Sequence, residues 1–183
     1  MANIYKITEV ISKIIAILCF IGCVGLIIAG ITFIVIDIPD QAVQDEHLIN
    51  TCGMVISTYG LDPEKAELVM GIGYLFSAVI YALLGMIFRN INLIVVTARG
   101  GTWFSKGETP FQDDNIRMVR EIGIFLIAMY IVGLVGTWAV ALVSIDIETS
   151  TTLLLLALGV IMICLSKMFE YGKGLQDAQD GLI

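Results

Sequence analysis

The sequence predicts an all-α protein, a four-transmembrane-helix bundle whose second and third helices extend into the cytoplasm. Three observations carry that reading. The chain is 58% hydrophobic and only 15% charged, where soluble domains average about 25% charged. Its apolar residues collect in four runs free of Asp, Glu, Lys, Arg and His: Ile14–Ile36, Leu68–Phe88, Ile122–Ile145 and Thr151–Ser166. Nine of its ten Lys and Arg fall on one side of the membrane that those runs would cross.

About 20 apolar residues span the hydrocarbon core of ~30 Å. The first three runs meet that length, and the fourth reaches it if Lys167 snorkels and the helix continues through Phe169. The spans are therefore placed at about 14–36, 68–88, 122–145 and 151–169, in a single integral membrane domain. The first run is 23 residues long and is followed by Asp37-Ile38-Pro39-Asp40. A signal peptide has a shorter apolar region and a small-residue cleavage site, so this run reads as an uncleaved transmembrane helix.

Orientation follows from the cations, which are retained in cytoplasmic loops. Lys6 and Lys13 precede the first span. Arg89, Arg99, Lys106, Arg117 and Arg120 flank the middle loop, and Lys167 and Lys173 follow the fourth span. Only Lys65 lies on the other side. Both termini and the middle loop are thus expected in the cytoplasm of a multi-pass cell-membrane protein. Nine carboxylates against one lysine leave the outer side at −8, and nine cations against eight carboxylates leave the inner side at +1, together the net −7. The acidic outer face reads as a solvated loop. No basic patch with interleaved aromatics is present, so direct nucleic-acid binding is not expected.

Residues 1–13 lie at the inner surface and lead into helix 1. The outer loop, residues 37–67, is long for a plain connection. Its middle, Leu48–Tyr59, is mostly apolar or small, and reads either as a short interfacial helix or as a segment folded against the outer ends of the bundle. Asp62-Pro63-Glu64 is a helix start, with Asp at the cap, Pro in the first turn and Glu at the positive dipole end. Helix 2 meets no breaker between Arg89 and Gly100-Gly101. Helix 3 starts early, at the capping carboxylates Asp113-Asp114, and Ile116, Val119 and Gly123 make an inward stripe. Run from 113 to 145, it is ~50 Å long at 1.5 Å per residue. That exceeds the bilayer by ~20 Å. A helical hairpin projecting into the cytoplasm and closed by the turn Gly100–Gln112 is the expectation. Helix 4 begins near Thr151, with Glu148 or Ser150 near its cap. It continues through Met168–Tyr171, and is weakened by Gly172 and Gly174 before a polar tail, Leu175–Ile183.

The spans hold no ionisable side chain, where coupled transporters place them at membrane depth to mark a pathway. A neutral-lined channel survives that argument. Gly71 and Gly73 read as close packing rather than as a transporter-type helix break. Gly25/Ala29, Ser77/Gly85 and Gly133/Thr137/Ala141 supply further small residues at helical spacing. Cys19 and Cys23 share a helix face, but no His or carboxylate joins them as a metal site needs, so they read as packing residues. Cys52 lies in the outer loop. His47, in Asp45-Glu46-His47, is a lone loop histidine, and Asp113-Asp114-Asn115 is explained by capping. No metalloprotease, nucleophile-elbow or phosphate-loop pattern occurs, so neither catalysis nor a metal or cofactor is expected. Trp103 and Phe104, in the cytoplasmic turn, are either a headgroup-level anchor or a docking hot spot for a soluble partner.

Two stretches resemble a known family. Pro110-Phe111-Gln112-Asp113-Asp114-Asn115-Ile116-Arg117-Met118-Val119-Arg120-Glu121-Ile122-Gly123 is similar to its Pro-Phe…Asn-Val-Arg…Leu-Arg…Ile-Gly start of helix 3. Phe169-Glu170-Tyr171-Gly172-Lys173-Gly174-Leu175-Gln176-Asp177, with Asp180 and Ile183, is similar to its closing Phe-x-x-Gly-x-x-Leu-Gln…Asp…Ile. The family is the domain of unknown function 2975, small prokaryotic four-helix membrane proteins. Met118 and Glu121 depart from it, standing where basic residues are common. The resemblance brings no assigned activity. It implies a membrane partner for a small cytosolic helix-turn-helix regulator, and points to Asn115, Arg117, Arg120, Leu175, Gln176 and Asp177. An alternative role for these residues is mutual, with Gln176 and Asp177 pairing with Arg117 or Arg120 to lock the inner end of the bundle. The functional expectation is a signalling or regulatory membrane protein binding a cytosolic partner through its inner hairpin and C-terminal tail. The alternative is a channel or transport component with a neutral pathway.

Overall fold

A computed structural model of the chain describes residues 2–35, 48–58, 61–98, 111–143 and 149–180. Four helices hold 85% of these residues and set the fold class: α1 Ala2–Val35, α2 Pro63–Ala98, α3 Asp113–Ala141 and α4 Leu154–Asp180. All four are long and apolar enough to cross a membrane. Helix α2 runs unbroken over Gly71 and Gly73 and continues past Phe88 to Ala98, and α3 starts well before Ile122. The early start of α3 at Asp113 and the start of α2 at Pro63 agree with their capping sequences. Helix α3 ends at Ala141, short of the expected 145, and the chain turns at Leu142–Val143. Helix α4 is not interrupted at Gly172 or Gly174. Two glycines cost a helix about 2 kcal/mol, and the packing of Phe111 on Gly172 opposes that cost.

The middle of the first long loop is neither helix nor featureless. Leu48–Thr51 forms β1 and Met54–Ser57 forms β2, an antiparallel hairpin in register Thr51↔Met54. The connecting residues Cys52 and Gly53 both have positive φ, 46° and 95°. That is the mirror-type two-residue turn, whose twist matches the flanking strands. A third strand, β3 (Thr149–Thr151), pairs antiparallel with β2 and aligns Thr151 with Met54. The interfacial-helix alternative is thereby replaced. The physical reason is period-2 burial: Ile49, Thr51, Met54, Ile56 and Thr58 are buried, while Leu48, Asn50, Val55 and Ser57 between them are not. Gly53 has two constraints, since an added Cβ would also lie 3.2 Å from Thr152 Cβ. Gly53→Ala is expected to destabilise the fold by about 1–2 kcal/mol from its φ alone, with Cys52→Asn nearly neutral because Asn tolerates that conformation. Thermal unfolding in detergent checks both.

The chain divides into two compact units, each drawing on all four helices. One comprises Cys19–Leu83 and Ala128–Leu155 and contains the sheet. In it α1 and α2 cross backbone to backbone: a Cβ on Gly30 would lie 3.0 Å from the Gly71 carbonyl oxygen, and one on Gly71 only 3.1 Å from that of Gly30. Phe33 and Tyr74 stack beside this crossing with ring centroids 5.5 Å apart. The sheet lies against α2 and α3. Ile49 and Ile56 rest on Gly73, Met54 on Gly136, and Thr51 Oγ1 shares a hydrogen bond of 2.9 Å with Ser77 Oγ. Gly71 and Gly73 are thus packing residues, as the sequence reading favoured. Gly25, by contrast, has nothing within 4 Å of an added Cβ.

Candidate functional site

The other unit comprises Met1–Leu18, Leu84–Ile127 and Leu156–Ile183. It gathers the start of α1, the end of α2, the start of α3 and the length of α4, where the charged and amide side chains of the helices concentrate. Each helix is tied to its neighbour by a polar contact. Asn92 Nδ2 on α2 donates to the Glu9 carbonyl oxygen on α1 at 2.7 Å and to Ser12 Oγ at 3.2 Å. Asn90 Nδ2, on a residue only 3% exposed, donates to Glu121 Oε2 on α3 at 3.0 Å. Glu121 Oε1 accepts from Arg117 Nε at 2.7 Å. Lys173 Nζ on α4 donates to Asp113 Oδ2 on α3 at 2.6 Å.

Apolar contacts complete the α3–α4 seam. Phe111, just ahead of α3, meets Phe169 edge to face with centroids 5.8 Å apart. The same ring covers Gly172, where an added Cβ would lie 3.1 Å from Phe111 Cε1. Farther along, Gly123 and Gly159 bring the two backbones together. A Cβ on either would lie 2.8 Å from the carbonyl oxygen of the other.

Between α2 and α3 lies an open cleft of 270 Å³. Arg89 and Leu93 line it from α2, Asp114 and Met118 from α3, with the Arg117–Glu121–Asn90 network between them. The hydrogen bond from Arg117 holds the Glu121 carboxyl below its ordinary range, against the effect of partial burial, and the Asn90 amide assists. This carboxylate therefore stabilises the fold above the ordinary glutamate value of about 4.3, and the contribution is lost as pH falls through the lower folded value. Acidification below about pH 4 is expected to loosen α2 from α3, and Glu121→Gln to flatten that acid limb, read as melting temperature against pH. The ion pairs themselves are largely exposed and contribute little to stability.

Of the residues singled out by sequence, Asn115 is buried at 4% exposure on α3, and Arg117 and Arg120 are exposed on the same helix. Leu175 and Asp177 are exposed on α4, and Gln176 is half-buried. Among the described residues, Arg117 pairs with Glu121, and Lys173–Asp113 is the ion pair that ties α4 to α3. A pairing of Gln176 or Asp177 with Arg117 or Arg120 is not among the contacts of the described residues. Trp103, Phe104 and His47 lie outside the described residues, as does most of the turn Gly100–Gln112. Among the described residues no three His, Cys, Asp or Glu side chains are placed to hold a metal ion.

The sequence reading gives no role to Asn90 or Asn92, and takes Lys173 only as a cytoplasmic cation within a motif. The signal for the two asparagines was present: amides inside an otherwise apolar helical stretch need partners across a helix interface. Glu121, noted only as a departure from a pattern, is the acceptor on which α2 and α3 meet. The arrangement offers arginine and amide donors, two carboxylates and an apolar lining within one cleft, the makings of a binding surface. No family model, curated protein or solved structure matches this chain.

Proposed function

We propose that this chain is a multi-pass cell-membrane protein with both termini and the α2–α3 connection in the cytoplasm. On this reading it holds a cytosolic partner through the α2–α3 hairpin and the C-terminal part of α4. The Lys and Arg count supports the orientation. The termini and the helix ends around the middle loop belong to one compact unit, as such a topology requires.

The observation that carries the reading is the contact between the two stretches that resemble the domain of unknown function 2975 family. Phe111 of the first packs on Phe169 and Gly172 of the second, and Asp113 pairs with Lys173. Residues far apart in sequence thus build one face, which is the property expected of a shared docking platform. Membership of that family, and a small helix-turn-helix regulator as the partner, are part of this proposal. Arg120, Leu175 and Asp177 are exposed where such a partner would reach them.

The test is a photoreactive residue at position 103, crosslinked in the native cells. Capture of one specific soluble DNA-binding protein supports the reading. In co-purification without the crosslinker, Trp103→Ala and Arg120→Ala should then each leave the protein folded while losing that partner. Attachment to lipid alone would make Trp103 a headgroup anchor and sink the docking role.

A further inference from the structure

The cleft between α2 and α3 has a use that holding a partner does not require. In it the Glu121 carboxylate is already answered twice, by Arg117 Nε and Asn90 Nδ2. Arginine carries five N–H donors, so Arg117 keeps others for a ligand. Arg89 lines the same cleft from α2, and among the described residues no carboxylate lies within ion-pair distance of it. Arg89 thus keeps its guanidinium donors for a ligand. Asp114 lines it as well. That carboxylate is two helical turns from Glu121 along α3, a separation of roughly 10 Å at 1.5 Å per residue. It lies one turn from Arg117, whose charge it favours, so Arg89 is the cation of the cleft with no carboxylate at ion-pair distance among the described residues.

Depth selects the ligand. Arg89 is the first charged residue after the uncharged run 68–88, and Glu121 the last before the run 122–145. On the membrane reading proposed above, on which this inference rests, that level is where hydrocarbon gives way to headgroups. Basic pockets between helices on the cytoplasmic side suit anionic headgroups, and guanidinium forks match phosphate oxygens. Leu93 and Met118 line the remainder of the cleft. We propose that the cleft between α2 and α3 binds the phosphate of an anionic phospholipid headgroup, with Arg89 as its principal cation and Arg117 as the second.

The experiment uses the full chain, extracted from membranes, delipidated in neutral detergent and offered equal amounts of phosphatidylglycerol and phosphatidylcholine. Bound lipid is counted by native mass spectrometry. Phosphatidylglycerol should be retained in preference, and Arg89→Gln should cut that preference about fivefold, the worth of one interfacial cation. Lys167→Gln, on the same unit but on α4 and outside the cleft lining, should leave it unchanged, and Asp114→Asn should raise it. Equal retention of the two lipids, or an Arg89→Gln variant indistinguishable from the parent, would overturn the proposal. Displacement of the lipid by millimolar inorganic phosphate would overturn the lipid assignment in favour of a soluble phosphate compound. A chain recovered in the soluble fraction would instead fail the membrane reading, a result visible before any lipid is added.

Discussion

Gly159→Val is expected to be among the most damaging single changes in this protein, with Gly123→Val its equal. A Cβ on Gly159 would stand 2.6 Å from Ile127 Cγ1, 2.8 Å from the Gly123 carbonyl oxygen and 3.1 Å from the Ile127 backbone nitrogen. On Gly123 it would meet the Gly159 oxygen and Ile163 Cγ1, both at 2.8 Å, and the Ile163 nitrogen at 3.0 Å. A side chain can swing away from such an intrusion, but a helix backbone can yield only by moving the helix. Overpacking ordinarily costs about 1–3 kcal/mol; here the obstruction is main chain on both sides, and the upper end or more is expected. The consequence is magnified because α4 is sparsely held, with 11% of its most apolar stretch buried against 44% for α2. On the proposed membrane reading there is little hydrophobic drive between the helices, so close backbone approach supplies the attraction. Thermal unfolding in detergent measures the loss. Gly25→Ala is the control, since nothing stands near its Cβ and helix propensity favours alanine by about 1 kcal/mol. A Gly159→Val variant that melts with the parent would mean that this crossing does not exist.

Truncation of the sheet core should cost nearly as much by the opposite mechanism. Ile56 is wholly buried and Met54 is 1% exposed. Met54 faces Gly136, and Ile56 lies over Gly73 on α2, so neither glycine can expand to refill a void. Buried Ile or Met to Ala costs about 2–5 kcal/mol, more where the surroundings cannot collapse. Ile56→Ala and Met54→Ala are therefore expected to destabilise by that amount and to expose the hairpin to protease. Leu48→Ala, on the same hairpin but 65% exposed, should change stability by no more than about 0.5 kcal/mol. If Ile56→Ala proves no worse than Leu48→Ala, the sheet is not packed on the helices as described.

The four helices were legible because a long uncharged run has few other uses, and because Asp62-Pro63-Glu64 and Asp113-Asp114 announce their starts. Their ends were less so. Helix α3 stops at Ala141 because the chain must turn to lay β3 beside β2, a constraint set by residues almost a hundred positions earlier. The hairpin was hidden by its setting: five alternating positions and a Cys-Gly turn, inside a loop whose apolar content suited a helix equally well. In the site, the motif residues Phe111, Phe169 and Gly172 were quoted from the sequence, yet their mutual contact is a tertiary fact. Lys173–Asp113 and Asn90–Glu121 join residues on different helices, so no local pattern could pair them. Glu121 shows the limit most clearly, since a side chain that breaks a charge pattern becomes intelligible only beside the asparagine it serves.

The order of strands in the small sheet bears on how the protein is made. The hairpin of β1 and β2 closes locally through a two-residue turn, on a timescale of about 1–10 μs for such elements. Its third strand arrives much later, because Met54 and its partner Thr151 are 97 residues apart. At ribosomal rates of about 5–20 residues per second, on the order of 5–20 s of synthesis separates them. During that interval the free edge of β2 is an open template for another strand, including that of a neighbouring nascent chain. Translation speed, more than final stability, then decides how often the edge finds its own β3.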